Sequence, residues 1–482
     1  MAVITAFILN AGLNFGLGLL LAKLMGPADF GLFGLATTGA VVLNTLVFEW
    51  LRLSATRFYS SRVRREEPWI RHGLDRAYAI LALVLLVASA LCAILGATVE
   101  MDAEGRLAIA AGAGMAAFGI GLFDYHAALA RARFDGGLYL KLTIVKNGLS
   151  FLLMAGAAWL FPQPVWVLVA CGLSQFLPVV VLRKPLLDPP VPIVRVRMGE
   201  TWRLFRAYGL PLIAANAIYQ ITPFLNRSAI AMQFGLAEAG YFALSADVAS
   251  RSLSMIGTAM DLILFQLAVR VDEHEGHVAA EAQIGRNAGI VVALMVPCAG
   301  GLWAVLPAIQ GLVVPEAYRG PFVLYAMLLI PGLLCGTLIN FGLNPIFQIR
   351  RKTVPVIAAA VIGLAVNAAC LFVLPARFGA PGIAMAQSAG LVASTLWLAV
   401  RALTGPRRLR IAWRDVFTAC ASTLAMMGCL APFRHMDPAA ALALCVPLGI
   451  LVYAALVWIF DIAGLRGMLA THLKQRAMTP TA

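Results

Sequence analysis

The sequence predicts an all-α integral membrane protein of about fourteen transmembrane helices, with two six-helix parallel repeats around a central cavity and two further C-terminal helices. Three observations predict it. Of 482 residues, 61% are hydrophobic and 12% charged, with mean hydropathy +0.87, whereas a soluble domain carries about 25% charged residues. Apolar runs of about 20 residues, each enough to cross a bilayer as a helix, recur along the whole length. Finally, one short turn is written twice. GPADFGLFGLA (26–36) and GLAEAGYFALS (235–245) lie 209 positions apart and share Gly, Ala, an acid, Gly, Phe and Leu at the same places.

The expected helices, one to fourteen, are 4–25, 29–50, 77–98, 107–127, 141–161, 165–183, 208–232, 239–264, 287–308, 320–344, 354–374, 381–402, 415–432 and 438–461. The first run begins almost at Met1, lacks a basic flank and exceeds a signal-peptide core, so it reads as a retained helix. The missing basic residues lead us to expect translation to start a few residues upstream. The segment 184–207, with PPVPIVRVR and a surface helix around 198–207, separates helices one to six from seven to twelve. The expected domains are therefore 1–183, a cytoplasmic linker 184–207, 208–402, and 403–482 with the extra helices and tail. An even number of spans in each half makes the repeats parallel.

Connections alternate between nearly uncharged (PQP at 162–164) and basic (RVRREEPWIRHGLDR at 62–76, RALTGPRRLR at 401–410). Arg350, Arg351, Lys352, Arg466, Lys474 and Arg476 join the basic side; the other side holds only Lys23, Arg106, Arg319, Arg377 and Arg434. A Lys/Arg excess marks the cytoplasmic side, so both termini are expected there, in a bacterial inner membrane. The formal charge of +14 then reflects topology and contact with membrane lipids, not nucleic acid.

The 209-residue offset recurs in residues that did not define it. Helix eight carries Asp247, Arg251, Ser254, Thr258 and Asp261 on one face, and the offset maps them to Thr38, Val42, Thr45, Glu49 and Arg52. Helix seven carries Asn216, Gln220 and Arg227, flanked by Tyr219 and Pro223. The offset maps Tyr219, Pro223 and Arg227 onto Asn10, Asn14 and Gly18 of helix one.

A charge at mid-bilayer costs about 2.5–3.5 kcal/mol on insertion scales, and such residues are usually functional. Lys146, Arg227, Asp247 and Arg251 fall inside spans. Asp247 and Arg251 can pair along one helix turn, whereas Arg227 and Lys146 have no local acid. Two readings stand: these residues glue helices together, or the stripes line a cavity in which Arg227, Arg251 and Lys146, with Asn10, Asn14, Asn216 and Gln220, receive an anionic group such as a diphosphate. Glu49, Arg52 and Arg57 are expected at its cytoplasmic mouth or as interfacial anchors, and Asp124 and His126 at the membrane interface.

Nothing points to an enzyme: the P-loop, HExxH, GxSxG and dinucleotide-binding patterns are missing from the sequence. Asp272, Glu273 and His274 in RVDEHEGH read as a solvated loop rather than a metal site. Eight cysteines, all inside expected spans, read as buried apolar residues.

LLLAKLMGPADFGLFGLA (19–36), the Arg of ATRFYS (55–60) and RFGAPGIAMAQSAG (377–390) resemble the polysaccharide-export branch of the multidrug/oligosaccharidyl-lipid/polysaccharide exporter superfamily, most nearly its Wzx-type O-antigen and exopolysaccharide flippases. The resemblance implies alternating access and an undecaprenyl-diphosphate-linked oligosaccharide as substrate. It also implies no cofactor, coupling to H+ or Na+ with Asp247 as candidate, and association with a polysaccharide polymerase or glycosyltransferase complex. Peptidoglycan-lipid flippases of the superfamily carry arginines in helix one where this chain has Asn10 and Asn14, which disfavours that substrate. Two rivals remain: a drug/organic-cation antiporter of the same superfamily, and a non-transporting scaffold of a polysaccharide-synthesis complex.

Overall fold

The computed structural model describes residues 2–59, 69–95, 103–133, 135–187, 195–350, 352–404, 408–409, 411–464 and 466–467. Among them twelve stretches are long and apolar enough to cross a membrane. The first, Gly12–Thr56, holds two spans because the chain turns at Gly26, and the helix Arg195–Phe234 adds the fourteenth. The chain is a multi-pass, all-helical membrane protein.

The helices follow the expected order. They are α1 (residues 2–25), α2 (residues 27–58), α3 (Trp69–Leu95), α4 (Ala103–Ala132), α5 (Gly136–Leu160), α6 (Pro164–Val181), α7 (Arg195–Phe234), α8 (Leu236–Glu275), α9 (His277–Leu312), α10 (Pro321–Ile349), α11 (Val354–Phe378), α12 (Pro381–Leu403), α13 (Trp413–Leu430) and α14 (Pro438–Phe460). Local chemistry sets their starts. Pro164, Pro321, Pro381 and Pro438 sit in the first turn, where a missing N–H costs nothing. Asp135 caps α5 by accepting from the Leu138 N–H at 2.9 Å, and Asp437 caps α14 in the same way.

Several boundaries move outward from the sequence expectation. α3 starts at Trp69 rather than 77, and α4 runs on to Ala132 rather than 127. The expected surface helix at 198–207 is continuous with helix seven, since α7 begins at Arg195. RVDEHEGH is not a loop: it completes α8, and only Gly276 separates α8 from α9. Hydropathy marks where a helix leaves the bilayer, but its backbone hydrogen bonds continue until a cap or breaker stops them.

The chain packs as two compact units, Met1–Leu244 and Ser245–Ala482. The division falls inside α8 and not in the segment between the sequence repeats. α7 packs on α2 and so belongs to the first unit. Trp202 lies against Trp50 with ring centroids 6.1 Å apart, and the Ser54 hydroxyl donates to the Phe205 carbonyl at 3.2 Å. Also in the first unit, α4 and α6 approach closely at Gly119 and Gly172, as small residues allow in a membrane. Phe123, Ala127, Leu138, Leu142 and Val179 bury a common core there.

In the second unit α11 pairs with α12, where Ser394 of α12 donates to the Ala359 carbonyl at 2.7 Å. The two extra helices pack on α9 through Ala304, Met426, Leu430, Cys445 and Tyr453, and the Tyr453 hydroxyl donates to the Ala293 carbonyl at 2.6 Å.

Candidate functional site

The repeated turns give the first relationship of functional interest. Gly26 (φ +76°) and Gly235 (φ +93°) hold equivalent places and both take the left-handed backbone that favours glycine. Five residues on, a β-carbon at Gly31 would collide with the Leu236 carbonyl, and one at Gly240 with the Pro27 carbonyl. The offset of 209 relates Gly31 to Gly240 and Pro27 to Leu236, so the contact is two-fold symmetric in the sequence. Both copies lie in the first unit.

Arg227 of α7 is buried and donates from Nη1 to the Gly34 carbonyl of α2 at 3.0 Å. Its intramembrane charge is thus held at the start of α2, just past the paired turns. Asn216 and Gln220 lie half-buried on the same helix, and Asn14 is half-buried on α1. Asn10 and Arg57 stand on helical backbone, but their side chains lie outside the described residues.

Lys146 has an acid that sequence spacing could not show. It projects from α5 with its ammonium 5.1 Å from the centre of the Phe123 ring. Asp124, the next residue of α4, interacts electrostatically with Lys146 and with Arg52, Glu49 and Arg131. Glu49 and Arg52 form an ion pair on α2. Asp124 was expected at the interface because helix four was placed to end at 127. With α4 continuing to Ala132, Asp124 stands two turns inside it. His126 lies on the same helix, its Nδ1 at 2.9 Å from the Leu122 carbonyl oxygen. α2 itself is irregular here, widening to a π turn at Thr45–Glu49.

In the second unit Asp247 and Arg251 pair along α8 with N···O 3.7 Å. The stripe continues with Ser254 donating back to the Ser250 carbonyl and Thr258 to the Ser254 carbonyl. The structure therefore groups the sequence candidates as Glu49 with Arg52, which like Lys146 act on Asp124, Arg227 with α2, and Asp247 with Arg251. Among the described residues no group of three or more His, Cys, Asp or Glu side chains could hold a metal ion.

The second unit also contains an apolar cavity of about 650 Å³. Its walls include Ile256 of α8, Pro297 and Leu302 of α9, Met426 of α13, and Ile450 and Val457 of α14. Among its described lining residues Arg466 is the one charged side chain, and its guanidinium lies 5.2 Å from the centre of the Trp458 ring. No periodicity in the sequence marked this cavity. It is made by α13 and α14 standing against α9, and each of those helices by itself reads only as a membrane span.

No protein-family model matches the chain, and no curated protein matches its sequence. Solved structures share its fold. The lipid II flippase MurJ, in an inward closed conformation, superposes with TM-score 0.76 at 14% identity, covering 95% of this chain and 99% of MurJ. An inward-facing multidrug-resistance MATE transporter of the MOP superfamily gives TM-score 0.51 at 16% identity, covering 83% and 94%. The eukaryotic MATE transporter AtDTX14 gives TM-score 0.51 at 14% identity, covering 87% and 100%. The chain thus has the fold of these transporters.

Proposed function

We propose that the chain is a flippase that moves an undecaprenyl-diphosphate-linked oligosaccharide from the cytoplasmic to the periplasmic leaflet of a bacterial inner membrane, for O-antigen or exopolysaccharide synthesis. The observation that carries this reading is the apolar cavity with Arg466 in its wall. A hydrocarbon-lined cavity suits a prenyl chain, and a nearby guanidinium suits the diphosphate attached to it. The buried cations give a second support. A diphosphate bears about two negative charges, and burying them uncompensated in hydrocarbon would be prohibitive. Lys146 and Arg227 of the first unit, and Arg251 of the second, are each proposed as cations that offset such charge within their own unit while the sugars stay wet.

The Lys/Arg distribution supports a cytoplasmic position for both termini, and in that orientation the paired turns face the periplasm. Their contact is then the closed external gate of an alternating-access cycle. Asn10 and Asn14, standing where peptidoglycan-lipid flippases carry arginines, favour an oligosaccharide other than the peptidoglycan unit.

The organic-cation antiporter draws support from Glu49 and Asp124, which make the membrane-embedded charge less one-sidedly basic than the sequence alone indicated. Each of these acids, however, already has a resident cation nearby. The deciding experiment deletes the gene and measures inner-leaflet lipid-diphosphate-linked oligosaccharide together with surface polysaccharide. Accumulation of the first with loss of the second is expected. No change in either, with raised drug sensitivity, would replace the flippase by the antiporter. A scaffold predicts instead that Arg227→Ala and Lys146→Ala leave surface polymer intact at normal protein level.

A further inference from the structure

Two independent features converge on one region of the first unit. The π turn Thr45–Glu49 interrupts α2, and such bulges are frequent at functional sites. The residue leading into it, Asn44, is 6% exposed, and its Oδ1 has no hydrogen-bond partner among the described residues. That oxygen faces α4 at Gly121, where a β-carbon would come within 3.0 Å of it. Asn147 of α5, beside Lys146, is 5% exposed, and its Oδ1 also has no partner among the described residues. Buried acceptors are normally satisfied, so each orphaned oxygen marks a place that receives a donor, and the Asn44 oxygen stands beside Gly121, one turn from Asp124.

Asp124 stands one turn along α4 from Gly121. The charged and titratable groups around it are Glu49 and Arg52 from α2, Tyr78 from α3, Lys146 from α5 and Arg131 from α4 itself. Arg52 and Lys146 already offset the two carboxylates, which leaves little net field to hold a metal cation. A carboxylate that gains a proton becomes a hydroxyl donor, which is what an orphaned acceptor requires.

We propose that Asp124 is the proton-carrying residue of the transport cycle. Its carboxylate takes up one proton to become a neutral carboxyl, the new O–H donates to a buried asparagine oxygen, and Lys146 and Arg52 are released from its charge. Loss of that proton restores the carboxylate and recaptures the cations. Lys146 is thereby available to an anionic substrate only while Asp124 is protonated, which couples the two events. The inference rests on the flippase reading and replaces Asp247, already paired with Arg251 on its own helix, as the coupling group.

The test uses the full-length chain in vesicles of phosphatidylethanolamine and phosphatidylglycerol containing the pH dye pyranine, with undecaprenyl diphosphate as the probe. Adding the probe outside is expected to produce a lumenal pH change. Asp124→Asn should slow that change at least tenfold while still binding the probe. An unchanged rate in the variant overturns the proposal. So does a wild-type chain that binds the probe yet moves no protons, and that result leaves the flippase reading standing. A wild-type chain that does not bind the probe sinks the flippase reading instead. A second measurement needs no variant: a membrane-soluble carbodiimide, which attacks protonated carboxyls, should modify Asp124, and modify it less as the pH is raised. Modification of Asp247 or Glu49 with Asp124 spared would refute the assignment whatever the transport result.

Discussion

Gly31 and Gly240 occupy equivalent positions in two copies of one turn, and each lacks a side chain because the other copy's backbone stands in its place. The Leu236 carbonyl fills the space beside Gly31, and the Pro27 carbonyl fills the space beside Gly240. One sequence element, used twice, forms a contact with itself.

That symmetry makes a paired prediction. Gly31→Val and Gly240→Val should act alike, because either side chain meets backbone that cannot turn away. Overpacking typically costs about 1–3 kcal/mol, so the closed gate should lose about 5- to 150-fold in population relative to the open one. A cysteine at Ala28, in a background free of other cysteines, should react faster with an impermeant maleimide applied outside in both variants. Equal reactivity in variant and parent would mean that the turns do not open.

Arg227 tests charge against geometry. Its guanidinium donates to the Gly34 carbonyl, and a hydrogen bond to a charged group is worth about 1.5–3 kcal/mol. Arg227→Ala should lower both thermal stability in detergent and surface polysaccharide. Arg227→Lys keeps the charge but not the planar fork, so it should recover transport more fully than stability. Full recovery of stability with transport still absent would contradict this.

Arg350, the residue that follows α10, and Glu281 of α9 form a two-pronged ion pair, both bonds 2.9 Å. With side-chain exposures of only 11% and 16%, removing one partner leaves a poorly solvated charge. Glu281→Leu or Arg350→Met alone should cost about 3–5 kcal/mol of stability. The double variant should recover most of that loss, read as the midpoint of thermal unfolding. Additive losses would show that the pair is not coupled.

The apolar cavity gives a substrate-side prediction. Gly301→Phe places a ring in its volume. It should weaken binding of undecaprenyl diphosphate about tenfold or more, the loss expected when about 1.4 kcal/mol of apolar contact is displaced. Binding of a water-soluble short-chain diphosphate should hardly change. Equal weakening of both ligands would mean that the cavity does not hold the chain.

How much of this was legible beforehand depended on the kind of information involved. Helix number and order came from hydropathy, because a bilayer imposes one length on every span and requires each backbone polar group to be satisfied within its own helix. The repeat came from the 209-residue offset, and Gly26 with Gly235 bears it out in backbone geometry. Helix ends were misplaced because polar residues remain helical beyond the membrane. The proximity of Asp124 to Lys146 was hidden because the two stand on different helices, and Asn44 and Asn147 carried no signal, since an asparagine acquires meaning only when its oxygen is buried without a donor.

The sequence by itself determined that this is a membrane protein built on a doubled unit, because length, apolarity and repetition are properties of the chain in one dimension. Only the tertiary structure decided that α7 packs with the first half, that Asp124 comes within electrostatic reach of Lys146, and that α8, α9, α13 and α14 line an apolar cavity. Each of these depends on which face of one helix meets which face of another, and many faces in this chain are equally apolar. Small residues such as Gly31, Gly119 and Gly240 select among them by letting only certain backbones touch.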